Sequence, residues 1–423
     1  MRHSRHPRRR RGFTLVELLV ACALTVLIMA VLATAFSTGM TTFSHLKSTV
    51  GLSEQLRSAE TILRRDLEAV HLEDADGLPV RVSDPRLTTI VPPATVPSLR
   101  ATKGYFEVLQ ATEPATGPTA QFIDEGSEDS VRSYRATGHA LFFTSKLLGN
   151  SPQEVFAGEG PVPGDPELAG YAPGAFVGQW AEIGLFLAPT SVMTTDDGVT
   201  PGSQLKLYSL YRRQRVLATS PRRLPLGPLY TTATAWRDAY PDVSIGTQIL
   251  NDPSPATTTF VQLNDPTSVT RRSSRLGYVA TNTPPMPPSP TETAIMPDAL
   301  PAPTFPFTSI RAGSPNTLLG TDVLVNNVVS MHIRVMDGRG KFYDRFTRIP
   351  NPSPLPLYLV ESGLAPPTTY VNGGATEGFR LDTANPFIPT YPFGVQMRAV
   401  QIKLRVYDTK NHLTRQMTMT FDL

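Results

Sequence analysis

Residues Phe13–Phe36 form an unbroken apolar run, FTLVELLVACALTVLIMAVLATAF, with one charge, Glu17, and no proline or glycine. As a helix the run reaches about 36 Å, enough to cross a hydrocarbon core of about 30 Å with some tilt. Before it stands MRHSRHPRRRRG, with six arginines in residues 2–11 and no acid. Arginines on one flank hold that end of a spanning helix in the cytoplasm. The rest of the chain is then expected across the membrane. The basic excess belongs to this leader alone. Of 39 Lys and Arg in the 423-residue chain, six lie in it, leaving 33 bases against 36 acids. A head of that balance carries no electrostatic footprint for nucleic acid.

Four kinds of export segment fit a basic leader followed by an apolar run. Ala33-Thr34-Ala35 offers a signal-peptidase site. Leu19-Val20-Ala21-Cys22 offers a lipidated cysteine, and Arg10-Arg11-Gly12-Phe13 a twin-arginine signal. The fourth is a leader cut between Gly12 and Phe13. Glu17 decides among them, because an acid inside a spanning helix costs about 2.5–3.5 kcal/mol on insertion scales. A disposable signal has no reason to keep it. Arg11-Gly12-Phe13-Thr14-Leu15-Val16-Glu17-Leu18-Leu19-Val20 resembles the N-terminal methylation segment of type IV pilins and type II secretion pseudopilins. The resemblance implies cleavage by prepilin peptidase between Gly12 and Phe13, and N-methylation of Phe13. It also implies packing of the spine from residue 13 onward into the core of a helical filament, with Glu17 as an assembly residue.

Beyond Phe36 the helical pattern turns amphipathic. Met40, Phe43, Leu46, Val50, Leu52, Leu56, Ala59, Leu63, Leu67 and Val70 recur mostly at steps of three and four, which puts them on one helix face. Gly39 and Gly51 are candidate bend points, and the turn residues of LEDADGLP predict an end near Glu73–Gly77. The remainder reads as β. Strands are predicted at Ala140–Lys146, Ala181–Leu187, Gln204–Leu217, Leu324–Met336, Gln396–Tyr407 and Leu413–Phe421. The last two are joined by a hairpin loop at Asp408-Thr409-Lys410-Asn411. Prolines number 41, about twice ordinary usage. They concentrate at 79–118, 151–173, 251–315 and 350–392, which predicts long loops, with 251–315 densest and mobile. The fold class expected is α+β: a cleaved leader 1–12, a transmembrane helix 13–36, an amphipathic extension 37–77 and a β-rich head 78–423.

The head carries a second resemblance. Val325–Val335 followed by Asp337-Gly338, and Ala399–Val406 followed by a polar turn and a last strand, are similar to the β-region of J-type minor pseudopilins. So is Arg64-Arg65-Asp66-Leu67 late in the spine. Glu17 argues against the K-type tip subunit, where that acid is typically missing.

Motifs for chemistry are scarce. There is no nucleophile elbow, P-loop, dinucleotide fingerprint or His-Glu-x-x-His helix. Cys22 is the single cysteine, so no intramolecular disulfide or cysteine-based metal site can form. It reads as a small packing residue. Acids cluster at Asp124, Glu125, Glu128 and Asp129, at Glu73, Asp74 and Asp76, and at Asp196-Asp197-Gly198. Ca²⁺ is the one cofactor such loops suggest, but none has EF-hand spacing, and solvated turns are the preferred reading. His71, His139, His332 and His412 are scattered and read as packed or surface histidines. Trp180 and Trp236 read as core or loop anchors. Tyr208, Tyr211, Arg212, Arg213 and Arg215 read as a solvated basic-aromatic strand face rather than a nucleic-acid or acidic-partner site.

The expected function is therefore structural, without catalysis: a minor pseudopilin of a type II secretion pseudopilus near the filament tip. The localisation implied is the inner membrane, single-pass, with the head in the periplasm. The partners implied are prepilin peptidase and other pseudopilins or minor pilins. A minor pilin of a fibre for adhesion or DNA uptake, and an exported binding or enzymatic domain with an ordinary signal, are the alternatives. Because the peptidase must accept a residue without a side chain at the cut, Gly12→Val is expected to keep its leader. Mass spectrometry of the membrane fraction checks this, and a normally processed Gly12→Val would overturn the cleavage site.

Overall fold

An apolar run rich in Leu and Ala, followed by a docked stretch with Leu56, Ala59, Leu63 and Leu67, produces one rod, α1 (Leu15–Leu67), 53 residues long and about 80 Å from end to end. In this computed structural model the described residues are 14–84, 87, 101–111, 136–149, 151, 154–159, 175–195, 203–224, 239–250, 258–270, 274–275, 321–338, 340–347, 358–361, 379–383, 397–411 and 413–423. The leader, with Gly12 and Phe13, lies outside them.

The strands follow the rod. They are β1 (Leu72–Glu73), β2 (Pro79–Val80), β3 (Phe106–Ala111), β4 (Gly138–Lys146), β5 (Phe156–Glu159), β6 (Ala175–Gly178), β7 (Trp180–Thr195), β8 (Ser203–Val216), β9 (Arg222–Arg223), β10 (Ile245–Leu250), β11 (Thr258–Leu263), β12 (Thr321–Asp337), β13 (Phe342–Thr347), β14 (Tyr358–Glu361), β15 (Phe379–Asp382), β16 (Met397–Asp408) and β17 (Leu413–Asp422). Ten form one antiparallel sheet in the order β14-β13-β12-β8-β7-β4-β3-β15, with β16 and β17 joined through β12. The expected α+β class holds, and all six predicted strands are present. β12 is the shared element. Thr321–Val328 pairs with β8, and Val328–Asp337 pairs with β16. Between the two pairings Asn327 takes φ 55°, a left-handed backbone that asparagine tolerates better than most residues.

The sheet buries both faces. One packs under α1: Leu56, Ala59, Leu63 and Leu67 meet Ile333, Val335, Ile402, Leu404, Met419 and Phe421, along with Phe143 and Leu185. The alternate residues Ala140, Phe142 and Phe186 join Trp180, Tyr105, Tyr211 and Val269 on the other face. A smaller cluster of Phe156, Phe176, Val216, Leu224, Ile245 and Leu263 is built from the short sheets β5-β6 and β10-β11-β9.

Three expectations need correcting. α1 stops at Leu67, well before Glu73–Gly77. Val70 bridges Lys146 and Leu72 pairs with Val80, so this stretch has left the helix for extended pairing. Second, the predicted apolar face splits. Leu56 to Leu67 is buried, whereas Met40, Phe43, Leu46 and Val50 stand exposed. Third, the Pro-rich stretches hold more than loops. β2, β3, β5, β11, β14 and β15 lie within them. Part of 251–315 is fixed in the head, with Val261, Leu263, Val269 and Arg275 buried. The TNTPPMPPSP core of that stretch lies outside the described residues.

Asp66 closes the docked end of the spine. Its carboxylate accepts from Arg212 of β8 through Nε (2.5 Å) and Nη2 (3.0 Å), and both residues are buried. A buried pair broken from one side leaves the other charge uncompensated, at about 3–5 kcal/mol. Asp66→Ala is therefore expected to lower the head's chemical-denaturation stability by about that much. The double variant Asp66→Ala/Arg212→Met should recover a large part of it, whereas a double-variant loss equal to the sum of the Asp66→Ala and Arg212→Met losses would show that the pair carries no coupling.

Candidate assembly site

Thr14 and Glu17 begin the rod by closing a capping box. The Thr14 N–H donates to Glu17 Oε2 (2.9 Å), its hydroxyl donates to the same oxygen (3.1 Å), and the Glu17 N–H donates to Thr14 Oγ1 (3.3 Å). Two of the orphan donors at the helix start are satisfied in this way. Glu17 thus has a local structural task besides the assembly task expected of it. The Thr-x-x-Glu spacing ahead of an apolar run is the sequence signal for that task, and the sequence reading passed over Thr14.

From Thr14 to Lys47 every residue of the rod is exposed, including Leu15, Val16, Leu18, Leu19, Ile28, Met29 and Phe36. This part of α1 is long and apolar enough to cross a membrane by length and composition. Cys22 lies exposed on it. An exposed apolar rod of this size must be covered by lipid or by other helices. The geometry therefore offers one surface for both environments, with Glu17 near its start.

The head grips the other end. The Ser48 hydroxyl donates to Asp408 in the β16–β17 turn, and Asp408 also accepts from the Lys410 N–H (2.9 Å) and Asn411 Nδ2 (2.8 Å). These hydrogen bonds hold the Asp408 carboxyl below its usual range, against a desolvation that pushes it up. Arg64 pairs with Glu60 and Glu68 (both 2.9 Å) and lies over the Phe421 ring at 5.6 Å. Past the helix, His71 is enclosed. Its ring nitrogens face the carbonyls of Thr144 (2.6 Å) and Leu67 (2.9 Å), and its own carbonyl accepts from the Thr144 hydroxyl (2.7 Å). Gly104 lies against this knot at φ 81°, where an added Cβ would sit 2.1 Å from the His71 carbonyl oxygen. Only glycine fits there.

The other candidates resolve as structure. Arg212, Arg213, Arg215, Tyr208 and Tyr211 are all buried. The expected solvated strand face is therefore wrong. Arg212 belongs to Asp66, and Tyr211 stacks on Phe186 at 6.0 Å. Glu73 is buried between Lys103 (3.1 Å) and Lys146, and Asp74 accepts from the N–H groups of Asp76 and Leu78. That cluster is a turn and an ion-pair centre. Among the described residues no group of three or more His, Cys, Asp or Glu is placed to hold a metal. Asp124, Glu125, Glu128, Asp129, Asp196, Asp197, His412 and Trp236 lie outside the described residues. His139 and His332 face each other at 5.3 Å, with His332 buried, and Trp180 is a core residue.

A buried network that sequence reading missed fixes the outer layer. Arg275 pairs with Glu107 (3.0 Å) and lies 4.1 Å from the Tyr105 ring centroid. The Tyr105 hydroxyl donates to Glu182 (3.1 Å), which also accepts from Ser244. Burial, then the Glu182 charge, pushes the Tyr105 phenol well above its ordinary range. Nothing in the local sequence joins residues 105, 182, 244 and 275.

Comparison with known proteins returns one match. A family model described as the prokaryotic N-terminal methylation motif covers residues 7–33. No curated protein and no solved structure matches the chain.

Burial pushes His71 below its ordinary pKa, against the two carbonyls and Asp66, which favour the charged form. The unfolded chain takes up this proton near pH 6.5, while the folded chain stays neutral. The stability from the neutral His71 is thus full above about pH 6.5 and is lost as pH falls toward the lowered folded value. Thermal melts from pH 7.5 to 5 are expected to show that loss, and a shallower one in His71→Gln. Parallel curves would assign the acid sensitivity elsewhere. Taken together, the motif at 7–33 and the long exposed apolar rod on a β-sheet head support a type IV pilin-like protein, cut by prepilin peptidase and assembled with other pilin subunits.

Proposed function

We propose that this chain is a minor pseudopilin of a type II secretion pseudopilus, anchored in the inner membrane with its head in the periplasm. It enters the filament near the tip through α1 and supports protein export by its structure, without catalysis. The observation that carries this reading is the exposed apolar rod with Glu17 near its start, mounted on a β-sheet head. After cleavage Phe13 carries a cationic amine at the end of an apolar helix. That amine and the Glu17 carboxylate are each costly to bury alone. Burying them as a pair between neighbouring subunits is far cheaper, and it is satisfied in one axial register only.

The test uses two substitutions in a strain lacking the chain. Glu17→Gln keeps a capping acceptor but no charge, whereas Glu17→Leu loses both. Both are expected to insert in the membrane at least as well as wild type, since an acid costing about 2.5–3.5 kcal/mol is gone. Both are expected to co-purify poorly with other pseudopilins and to fail to restore export. Normal co-purification of Glu17→Gln would reduce Glu17 to its cap. A wild-type chain that restores a surface fibre and leaves export unaffected would favour the pilus reading.

A further inference from the structure

Between the apolar run and the head lies a stretch that neither should hold. Six of the eight residues 37–44 are Ser37, Thr38, Gly39, Thr41, Thr42 and Ser44, all weak helix formers. The three threonine hydroxyls turn inward on the rod. The Thr38 carbonyl accepts from the Thr41 hydroxyl (2.8 Å) and the Thr42 hydroxyl (2.9 Å), and the Thr38 hydroxyl donates to the Thr34 carbonyl (2.9 Å). Such back-bonds compete with the backbone ladder and bend helices. Gly39 has open space around it: a Cβ there would meet nothing within 4 Å. Unlike Gly104, it answers no packing demand, and its effect is to loosen the backbone.

The boundaries are equally plain. The apolar run ends at Phe36, and the first contact with the head is Ser48 on Asp408, followed by Leu52 and Leu56 in the core. Every residue from 37 to 47 is exposed. Helical stability in proteins comes mostly from tertiary packing of a face, and this stretch has none. The segments on either side are held, one by lipid on the reading above, the other by the sheet and the Asp66–Arg212 pair.

We propose that residues 37–44 are the joint of the spine, at which the head tilts against the membrane-held segment. This rests on the reading that residues 13–36 lie in lipid. The joint allows the head to keep its docked geometry from Ser48 onward while the rod leaves the bilayer at another angle.

Hydrogen exchange of the full chain in lipid nanodiscs tests both claims separately. Amides of 37–44 are expected to exchange at least about tenfold faster than those of 56–67. Amides of 15–34 are expected to be protected by lipid. Free exchange at 15–34 would overturn the membrane reading and leave the joint to be judged by 37–44 alone. Protection of 37–44 equal to that of 56–67 overturns the joint. The variant Gly39→Ala/Thr41→Ala/Thr42→Ala is expected to slow exchange at 37–44 about tenfold and leave 56–67 unchanged. It should also narrow the distance distribution between spin labels at Leu32→Cys and Thr414→Cys, read in a Cys22→Ser background. An unchanged rate and an unchanged distribution overturn the assignment.

Discussion

The docking of Leu56, Ala59, Leu63 and Leu67 on β12, β16 and β17, closed by Asp66 on Arg212, is the interaction on which the rest depends. It fixes one end of α1 and leaves some fifty ångströms of rod without a partner inside the chain, at about 1.5 Å per residue. That division gives one helix two kinds of work. The C-terminal third is a core element. The remainder is an apolar shaft whose free energy is settled only by lipid or by other helices. A head that let go of the shaft at Leu63 would lose the alignment between the assembly segment and the sheet.

The two-faced sheet explains why this head differs from a helix laid on a half-solvated sheet. β16 alternates apolar and polar residues, with Val400, Ile402, Leu404 and Val406 turned to α1, and Ala399, Lys403 and Tyr407 of its other face are buried as well. β4 and β7 bury both faces, and their sequences, ALFFTSK and AEIGLFL, are nearly continuous apolar runs. The second layer covering them comes from residues within 239–250, 258–270 and 274–275, and its seam is polar. Arg275, Glu107, Tyr105, Glu182 and Ser244 are all buried. A charged pair in such a seam specifies one arrangement of the layer more than it adds stability.

Much of this was legible in the sequence because the signals were local. The spanning run, Glu17 and the six main strands follow from periodicity within a dozen residues. The end of α1 was not, because Val70 stays in phase with the apolar pattern although the backbone has become extended. The face Tyr208–Arg215 was misread because a strand of arginines looks solvated until Asp66, 146 residues away, supplies the partner. Met40, Phe43, Leu46 and Val50 carry the same apolar signature as the docked residues, and no sequence pattern distinguishes a face turned to the head from one left outside it. The strands hidden in the Pro-rich stretches are four to six residues long, apart from the two-residue β2. β15 pairs with the distant β3, whereas β2, β5, β11 and β14 each pair with a strand adjacent in sequence, and such short runs carry too few residues to show a period.

The contact between Ser48 and Asp408 spans 360 positions, and β12, β16 and β17, which form most of the seat of α1, come from the last hundred or so residues, with Arg212 of β8 completing it. The rod is made first and its seat last. Through most of synthesis the leucine face 56–67 lacks most of its seat, and closing so long a loop is a slow, late event. Until β17 pairs with β16 the helix has only part of its seat, and completing that hairpin gives the rod a defined axis relative to the sheet.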